Sequence, residues 1–142
     1  MVQFLKTDIC VVGAGSGGLS VAAGAVQMGA DVVLVEGGEM GGDCLNSGCV
    51  PSKALLAAAK AAYLANGNAA MGITNNPPNI DFAAVKAHVA DVIAQIEPHD
   101  SIARFEALGV TVIPEMAHFT GPRAVASATH QVRAKYIVIA SG

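Results

Sequence analysis
Asp8-Ile9-Cys10-Val11-Val12-Gly13-Ala14-Gly15-Ser16-Gly17-Gly18 is the stretch that decides the fold. Ile9 to Val12 form a short, continuous apolar run, the pattern of a parallel strand covered on both faces. The glycines follow in GxGxxG spacing. Gly13 permits the tight turn, Gly15 lets a pyrophosphate approach the backbone, and Gly18 lets helix pack on strand. An alanine-rich helix is predicted from Ser16 to Met28, stopped by Gly29, which takes a left-handed cap at little cost. Asp31-Val32-Val33-Leu34-Val35-Glu36 reads as a second buried strand. Strand, crossover helix and strand make a βαβ unit of right-handed crossover. A pyrophosphate would lie at Ser16, on the helix N-terminus, where free N–H groups and the dipole favour an anion. Glu36 closes the second strand, where a carboxylate accepts both ribose hydroxyls of an adenosine. The motif alone does not separate NAD from FAD.

Outward from this unit, a loop containing Gly37, Gly38, Gly41 and Gly42 leads to Cys44 and Cys49. A helix is expected to begin near Cys49-Val50-Pro51, and Ala54 to Ala65 is nearly all helix former. Asn66 to Asn79, with Gly67, Gly72, Pro77 and Pro78, reads as a loop. Asp81 offers an N-cap. Behind it Phe82, Val85, Val89, Val92, Ile93 and Ile96 fall on one helical stripe, read as core packing. Pro98 is expected to interrupt, with a shorter helix running to Leu108 and Gly109 as its stop. Val110 to Ile113 is a third parallel strand. Ala117 to Ala134, broken at Gly121-Pro122 and Thr129-His130, suggests a small antiparallel meander. Tyr136 to Ala140 reads as another buried strand, followed by Ser141-Gly142. The expected fold class is therefore α/β: a parallel Rossmann-like sheet with flanking helices and a small antiparallel β-meander.

The chain has 142 residues, enough for one domain with a core of its own. No run of about 18 apolar residues marks a membrane span, and the first eight residues lack the pattern of a secretion signal. Net charge is −3 with no basic stripe, and there is no tryptophan; both argue against nucleic acid as the main partner. Three cysteines without a secretory signal favour a cytoplasmic chain over a secreted disulfide scaffold.

Cys44 and Cys49 are open to three readings: metal ligands, a structural bridge, or a redox couple. Zinc needs about four ligands, and no second cluster accompanies the pair, so no metal is expected. A structural bridge over so short a loop adds little stability. A strained, accessible bridge beside a cofactor is easily reduced, which favours the redox couple. The helix starting near Cys49 would lower the thiolate pKa there. Cys10, mid-strand, reads as a buried small hydrophobe. Lys53, four residues after Cys49, faces roughly the same side, as a flavin contact or as a solvated helix residue. A dithiol beside a dinucleotide also selects the dinucleotide: nicotinamide gives a hydride, and a flavin takes it and passes electrons to a disulfide. The expectation is FAD against the cysteines, with NAD(P)H supplied from elsewhere.

Gly41-Gly42-Asp43-Cys44-Leu45-Asn46-Ser47-Gly48-Cys49-Val50-Pro51-Ser52-Lys53, after the glycine turn and second strand, closely resembles the class I pyridine nucleotide–disulfide oxidoreductases. That group includes dihydrolipoamide dehydrogenase, glutathione reductase and mercuric reductase. The likeness is most specific from Asp8 to Lys53 and weaker at Tyr136–Gly142, an ATG-like turn against FAD. It implies that Cys49 is the flavin-facing thiolate and Cys44 the interchange thiol that attacks substrate. Lys53 would sit near the flavin, Glu36 would hold the ribose, and the backbone near Ala117 would meet the adenine. Gly13, Gly15, Ser16, Gly18, Gly37, Gly42, Asp43, Ser141 and Gly142 complete the implied cofactor-binding set. Asp43 stands where many members have threonine; Ser141 replaces threonine in the ATG-like turn but keeps a hydroxyl. The resemblance implies residues 1–142 are the N-terminal part of the FAD-binding domain, incomplete at its C-terminus. NAD(P)-binding and dimerisation domains would lie outside these residues, in a parent enzyme that is a homodimer. The substrate would be a small-molecule or protein disulfide, lipoamide, or a mercuric ion; no membrane or nucleic-acid partner is expected. His88, His99, His118 and His130 match no motif and read as surface residues.

Overall fold
The structure, a computed structural model, describes residues 2–142. Four strands run parallel: β1 (Gln3–Val12), β2 (Val32–Val35), β5 (Thr111–Ile113) and β8 (His130–Ile139). β7 (Ala124–Ala126) adds antiparallel to β8, and β6 (His118–Gly121) antiparallel to β7, giving one six-stranded sheet in the order β5-β2-β1-β8-β7-β6. The meander is thus continuous with the parallel sheet through β8. β3 (Gly67–Asn68) and β4 (Ile73–Thr74) form a separate two-stranded pair.

β1 begins at Gln3, well before its apolar run, because β8 pairs with it from Gln3–His130 to Val12–Ile139. Ladder pairing keeps Lys6, Thr7 and Asp8 extended where hydrophobic patterning is silent. Thr7 is buried, and its hydroxyl donates to the Asp31 carbonyl at 2.6 Å. Asp8 accepts from the Asp31 amide at 3.0 Å and pairs with Lys135 at 2.5 Å. These contacts fix the entry to β2 against β1.

Helix α1 (Ser16–Gln27) ends as expected at Gly29, whose φ is +84°. The Ala30 amide returns to the Ala25 carbonyl and that of Gly29 to Val26, closing the left-handed cap. Leu19, Ala22 and Ala25 of α1 pack with Val11, Leu34 and Phe105 on one side of the sheet. Alternate strand residues point the other way: Cys10, Val33, Val35 and Ile113 cluster with Val125, Val132 and Ala134 of the meander. Cys10 is fully buried, and burial pushes its thiol up to about 11.

The remaining helices are α2 (Gly42–Asn46), α3 (Cys49–Ala65), α4 (Phe82–Asp100) and α5 (Ile102–Ala107). α2 is absent from the sequence reading, which treated this segment as the tail of a glycine loop. The 66–79 loop contains β3, a 3-10 turn at Ala69–Met71 and β4. Asp81 caps α4 as read, accepting from the Ala83 and Ala84 amides. Pro98 does not interrupt: α4 runs through it to Asp100. The break falls at Ser101, which is extended, ends α4 and caps α5 by accepting from the Arg104 amide. Pro98 lies in the last turn, so few helical bonds follow the amide it lacks. Core packing of the Phe82–Ile96 stripe is also corrected. Phe82 is exposed and Val85, Val89, Val92, Ile93 and Ile96 are only half-buried, because α4 packs on α3 and not on the sheet. Tyr136 and Ile139 are likewise exposed rather than buried. β7 pairs with β8 only through Gln131–Arg133, leaving the last residues of β8 with β1 alone. No helix among the described residues is long and apolar enough to cross a membrane.

Candidate dinucleotide and dithiol site
The site lies at the C-terminal ends of β1, β2 and β8, where an open α/β sheet leaves a crevice. Gly13 has φ +106°, and a Cβ there would meet the Ala140 carbonyl oxygen at 2.2 Å. Gly18 is just as constrained: a Cβ would lie 1.8 Å from the Gly13 carbonyl oxygen and 3.3 Å from Val11. Gly15 differs. A Cβ there would touch nothing within 4 Å. No contact within the protein requires glycine at 15, and its bare backbone leaves room for an approaching ligand.

The second glycine loop lies against the first. Gly15 and Gly41 form a bridge, and the Gly41 amide donates to the Ala14 carbonyl at 2.9 Å. Gly42, with φ +55°, approaches so closely that a Cβ would meet the Gly15 Cα at 2.8 Å. Glu36 ties the two loops together: Oε2 accepts from the Ala14 amide at 2.5 Å and Oε1 from the Gly38 amide at 2.7 Å. Each oxygen keeps a lone pair for a further donor. Asn46 secures the far side, donating to the Met40 and Gly42 carbonyls at 3.1 and 2.9 Å.

These loops enclose a cavity of about 700 Å³. Gly15, Ser16, Glu36, Gly42, Asp43, Cys44, Ser141 and Gly142 line it, as do Gly17, Gly38, Glu39, Asn46, Ser47 and Ala140, which the sequence did not single out. Asn46 and Ser47 lie between the two cysteines in sequence, and the turn of α2 brings them to the wall. A smaller cavity of about 130 Å³ adjoins it, lined among others by Gly13, Glu36, Gly37, Glu115, Met116, Ala117 and Ser141. Ala117 and Gly37 therefore sit beside Glu36, away from the cysteines. Gly18 faces no cavity, and its place is the helix–strand contact. Cys49 and Lys53 are exposed and line neither cavity.

The walls of the larger cavity contain no lysine or arginine. Its positive end is the N-terminus of α1, a 12-residue helix whose Gly15 N-cap offers no side chain to the first-turn amides. Those amides and the dipole remain available to an anion. An adenosine diphosphate moiety fits this set: a bare backbone at Gly15, helix amides at Ser16 and Gly17, and a carboxylate at Glu36.

Cys44 lies at this wall, on α2; Cys49 begins α3. Gly48 makes the turn between them, with its amide on the Asp43 carbonyl at 2.5 Å and no room for a Cβ. Both thiols are free. The neighbouring Cys49 side chain is the main reason the Cys44 thiol is pushed up, followed by desolvation; the Cys49 amide and the Lys53 charge pull it down. A reduced sulfur pair that shares its proton raises the thiol of one partner in this way.

Residues 7–142 match the pyridine nucleotide-disulphide oxidoreductase family, and the chain belongs to it. The chain is 36% identical to a dihydrolipoyl dehydrogenase of Pseudomonas aeruginosa, over all of this chain and 32% of that enzyme. It is 31% identical to a mercuric reductase of Bacillus cereus, over 95% of this chain and 21% of that enzyme. The chain thus spans a third or less of the length of these relatives. In fold it resembles a copper(II) complex of the HOCl-induced flavoprotein disulfide reductase RclA from Escherichia coli. That match has a TM-score of 0.77 at 20% identity, over 95% of this chain and 28% of the other.

Proposed function
We propose that this chain is the N-terminal part of the FAD-binding domain of an FAD-dependent dithiol/disulfide oxidoreductase. The observation that carries the reading is the shared wall: the glycine turn, Glu36 and Cys44 line one cavity. Bound FAD would supply the two-electron chemistry that links NAD(P)H to a dithiol. The chain's own residues bind and orient it. Gly15 and the α1 amides would take the pyrophosphate, Glu36 the ribose, the Ala117 backbone the adenine, and Asp43, Ser141 and Gly142 the remainder.

The dithiol step is written on the two sulfurs. The Cys44 thiolate attacks one sulfur of a substrate disulfide, forming a mixed disulfide and expelling the first thiolate. Cys49 then attacks the Cys44 Sγ, expels the second thiolate and leaves the Cys44–Cys49 disulfide. Two electrons have moved to substrate, and restoring the dithiol would draw on the two-electron chemistry of bound FAD. Dihydrolipoamide oxidation runs the same steps in reverse. Two free thiols, Cys44 at the cavity wall and Cys49 at the start of the next helix, support an exchange between these sulfurs. The NAD(P)-binding and dimerisation domains belong to the rest of the gene product, a homodimer. The cytoplasm, a reducing compartment in which free thiols persist, is the location this reading favours.

A second reading, a mercuric reductase, draws on the Bacillus relative. One experiment separates them. Protein from the complete coding sequence, loaded with FAD, is given NADH or NADPH with lipoamide, glutathione disulfide or Hg²⁺. NAD(P)H oxidation that depends on one acceptor and is lost in Cys44→Ser and Cys49→Ser supports the proposal and names the substrate. Thiols that stay disulfide-locked or metal-bound under NAD(P)H overturn it.

A further inference from the structure
Glu115, Ser127, Thr129 and His130 form a closed hydrogen-bond network that the dithiol chemistry does not use. Thr129 donates to the Glu115 carboxylate twice, through its amide to Oε2 at 3.0 Å and through its hydroxyl to Oε1. The Thr129 hydroxyl also meets His130 Nδ1 at 2.7 Å. A hydroxyl has one proton and a carboxylate only accepts, so the proton goes to Glu115 and Nδ1–H must donate. The His130 amide donates to the Ser127 hydroxyl at 3.1 Å, and the Ser127 amide to the His130 carbonyl at 2.8 Å. The Thr129 carbonyl accepts from Gln3, which joins the turn to the start of β1.

What the network restrains is the connection from β5 to β6. Glu115 is the residue before Met116, and Met116 sits on the backbone of Gly37: a Cβ at Gly37 would meet its Cε at 2.8 Å and its Cα at 3.0 Å. Met116 and Ala117 line the smaller cavity with Glu36 and Gly37. Met116 is itself 77% exposed, so burial does not hold it there.

We propose that Glu115, clamped by the β7–β8 turn, is a positioning residue that fixes Met116 and Ala117 as the wall of the adenosine end of the cofactor site. This rests on the FAD reading above. The wall is held by an ion-dipole clamp supplied from the turn between β7 and β8, with Thr129 as the donor half of the same device.

The test uses FAD-loaded protein from the complete coding sequence. FAD and ADP dissociation constants are measured for the wild type, Glu115→Gln, Thr129→Val and Thr129→Ser, with backbone hydrogen exchange over 114–118. The expected result is about fivefold weaker binding of both FAD and ADP in Glu115→Gln and Thr129→Val. Exchange at Met116 and Ala117 should be faster in both, and Thr129→Ser should restore the wild-type values. Thr129→Val keeps the turn backbone, so it decides the matter if Glu115→Gln does not fold. A wild type that holds FAD with variants that hold it equally tightly overturns the clamp alone. Faster exchange with unchanged affinity overturns it too. A wild type that takes up no FAD overturns the functional reading and the clamp together.

Discussion
The βαβ unit and the α3–α4 pair are written in nearly the same alphabet, alanine with branched aliphatics, yet they end in opposite environments. In β1–α1–β2 the sheet covers most of the apolar side chains: all four residues of β2 are buried, and α1 buries Leu19, Ala22 and Ala25. In the helical pair α3 buries only Ala54 and α4 buries nothing. Leu56, Tyr63, Leu64 and Phe82 all stay exposed. Apolar periodicity says which residues share a face, and only the neighbouring elements say whether that face is covered. The cofactor side is therefore held by close backbone contacts, while the helix pair is held by fewer buried side chains and by the Asp81 cap of α4.

Substitutions in the two regions should separate sharply. Gly18→Ala puts a methyl group against the Gly13 carbonyl, backbone on backbone, and is expected to abolish the cooperative unfolding transition. Gly15→Ala, three residues away in the same motif, should leave the denaturation midpoint near wild type and weaken FAD binding. Urea denaturation of both with FAD titration of the second checks the contrast. A comparable loss of fold in both would remove the distinction between a glycine needed for packing and one needed for ligand.

Phe105, 1% exposed, fills the space beneath the sheet; Phe82, 61% exposed, lies on α4. Phe105→Ala should lower unfolding free energy by about 3–5 kcal/mol, and Phe82→Ala should change it by less than about 0.5 kcal/mol. Asp81→Ala removes the α4 cap and should cost about 1 kcal/mol, measured as helix loss by circular dichroism and as a shift in the urea midpoint. A larger effect there than at Phe105 would invert the ranking of the two regions.

The smallest effect is in acid. The Ser127 hydroxyl, then the Thr129 hydroxyl and amide, hold the Glu115 carboxyl down from 4.5 to about 2. Because its folded pKa is the lower one, its contribution is complete above about 4.5 and fades as pH falls toward 2. Glu115→Gln should therefore flatten the acid limb of the stability curve between those values and leave the neutral plateau's slope unchanged.

Much of the fold was legible because its signals are local. The Ile9–Val12 run, the Gly13–Gly18 spacing, the Gly29 stop and the Asp81 cap each depend on a few neighbouring residues. What escaped depends on partners distant in sequence. The early start of β1 needs β8, α2 needs Asn46 reaching back to Met40 and Gly42, and the bare Phe82 face needs the sheet to be elsewhere. Pro98 misled because the missing amide matters less in a last turn than Ser101 does as a double cap. In the site, the glycines, Glu36 and Cys44 were readable as motif. The Glu115–Thr129 clamp was not, since 14 residues and a strand hairpin separate its halves.

The central claim is that Cys44 and Cys49 are a redox couple and Cys10 is not. Its most direct test equilibrates the folded protein in glutathione buffers of rising oxidising strength, followed by proteolysis at the acidic residues between Cys10 and Cys44 and mass spectrometry. Cys44 and Cys49 should become linked to each other while Cys10, buried with its thiol at about 11, stays free. Cys44 and Cys49 both remaining free in the most oxidising buffer, or Cys10 pairing with either, would contradict the account.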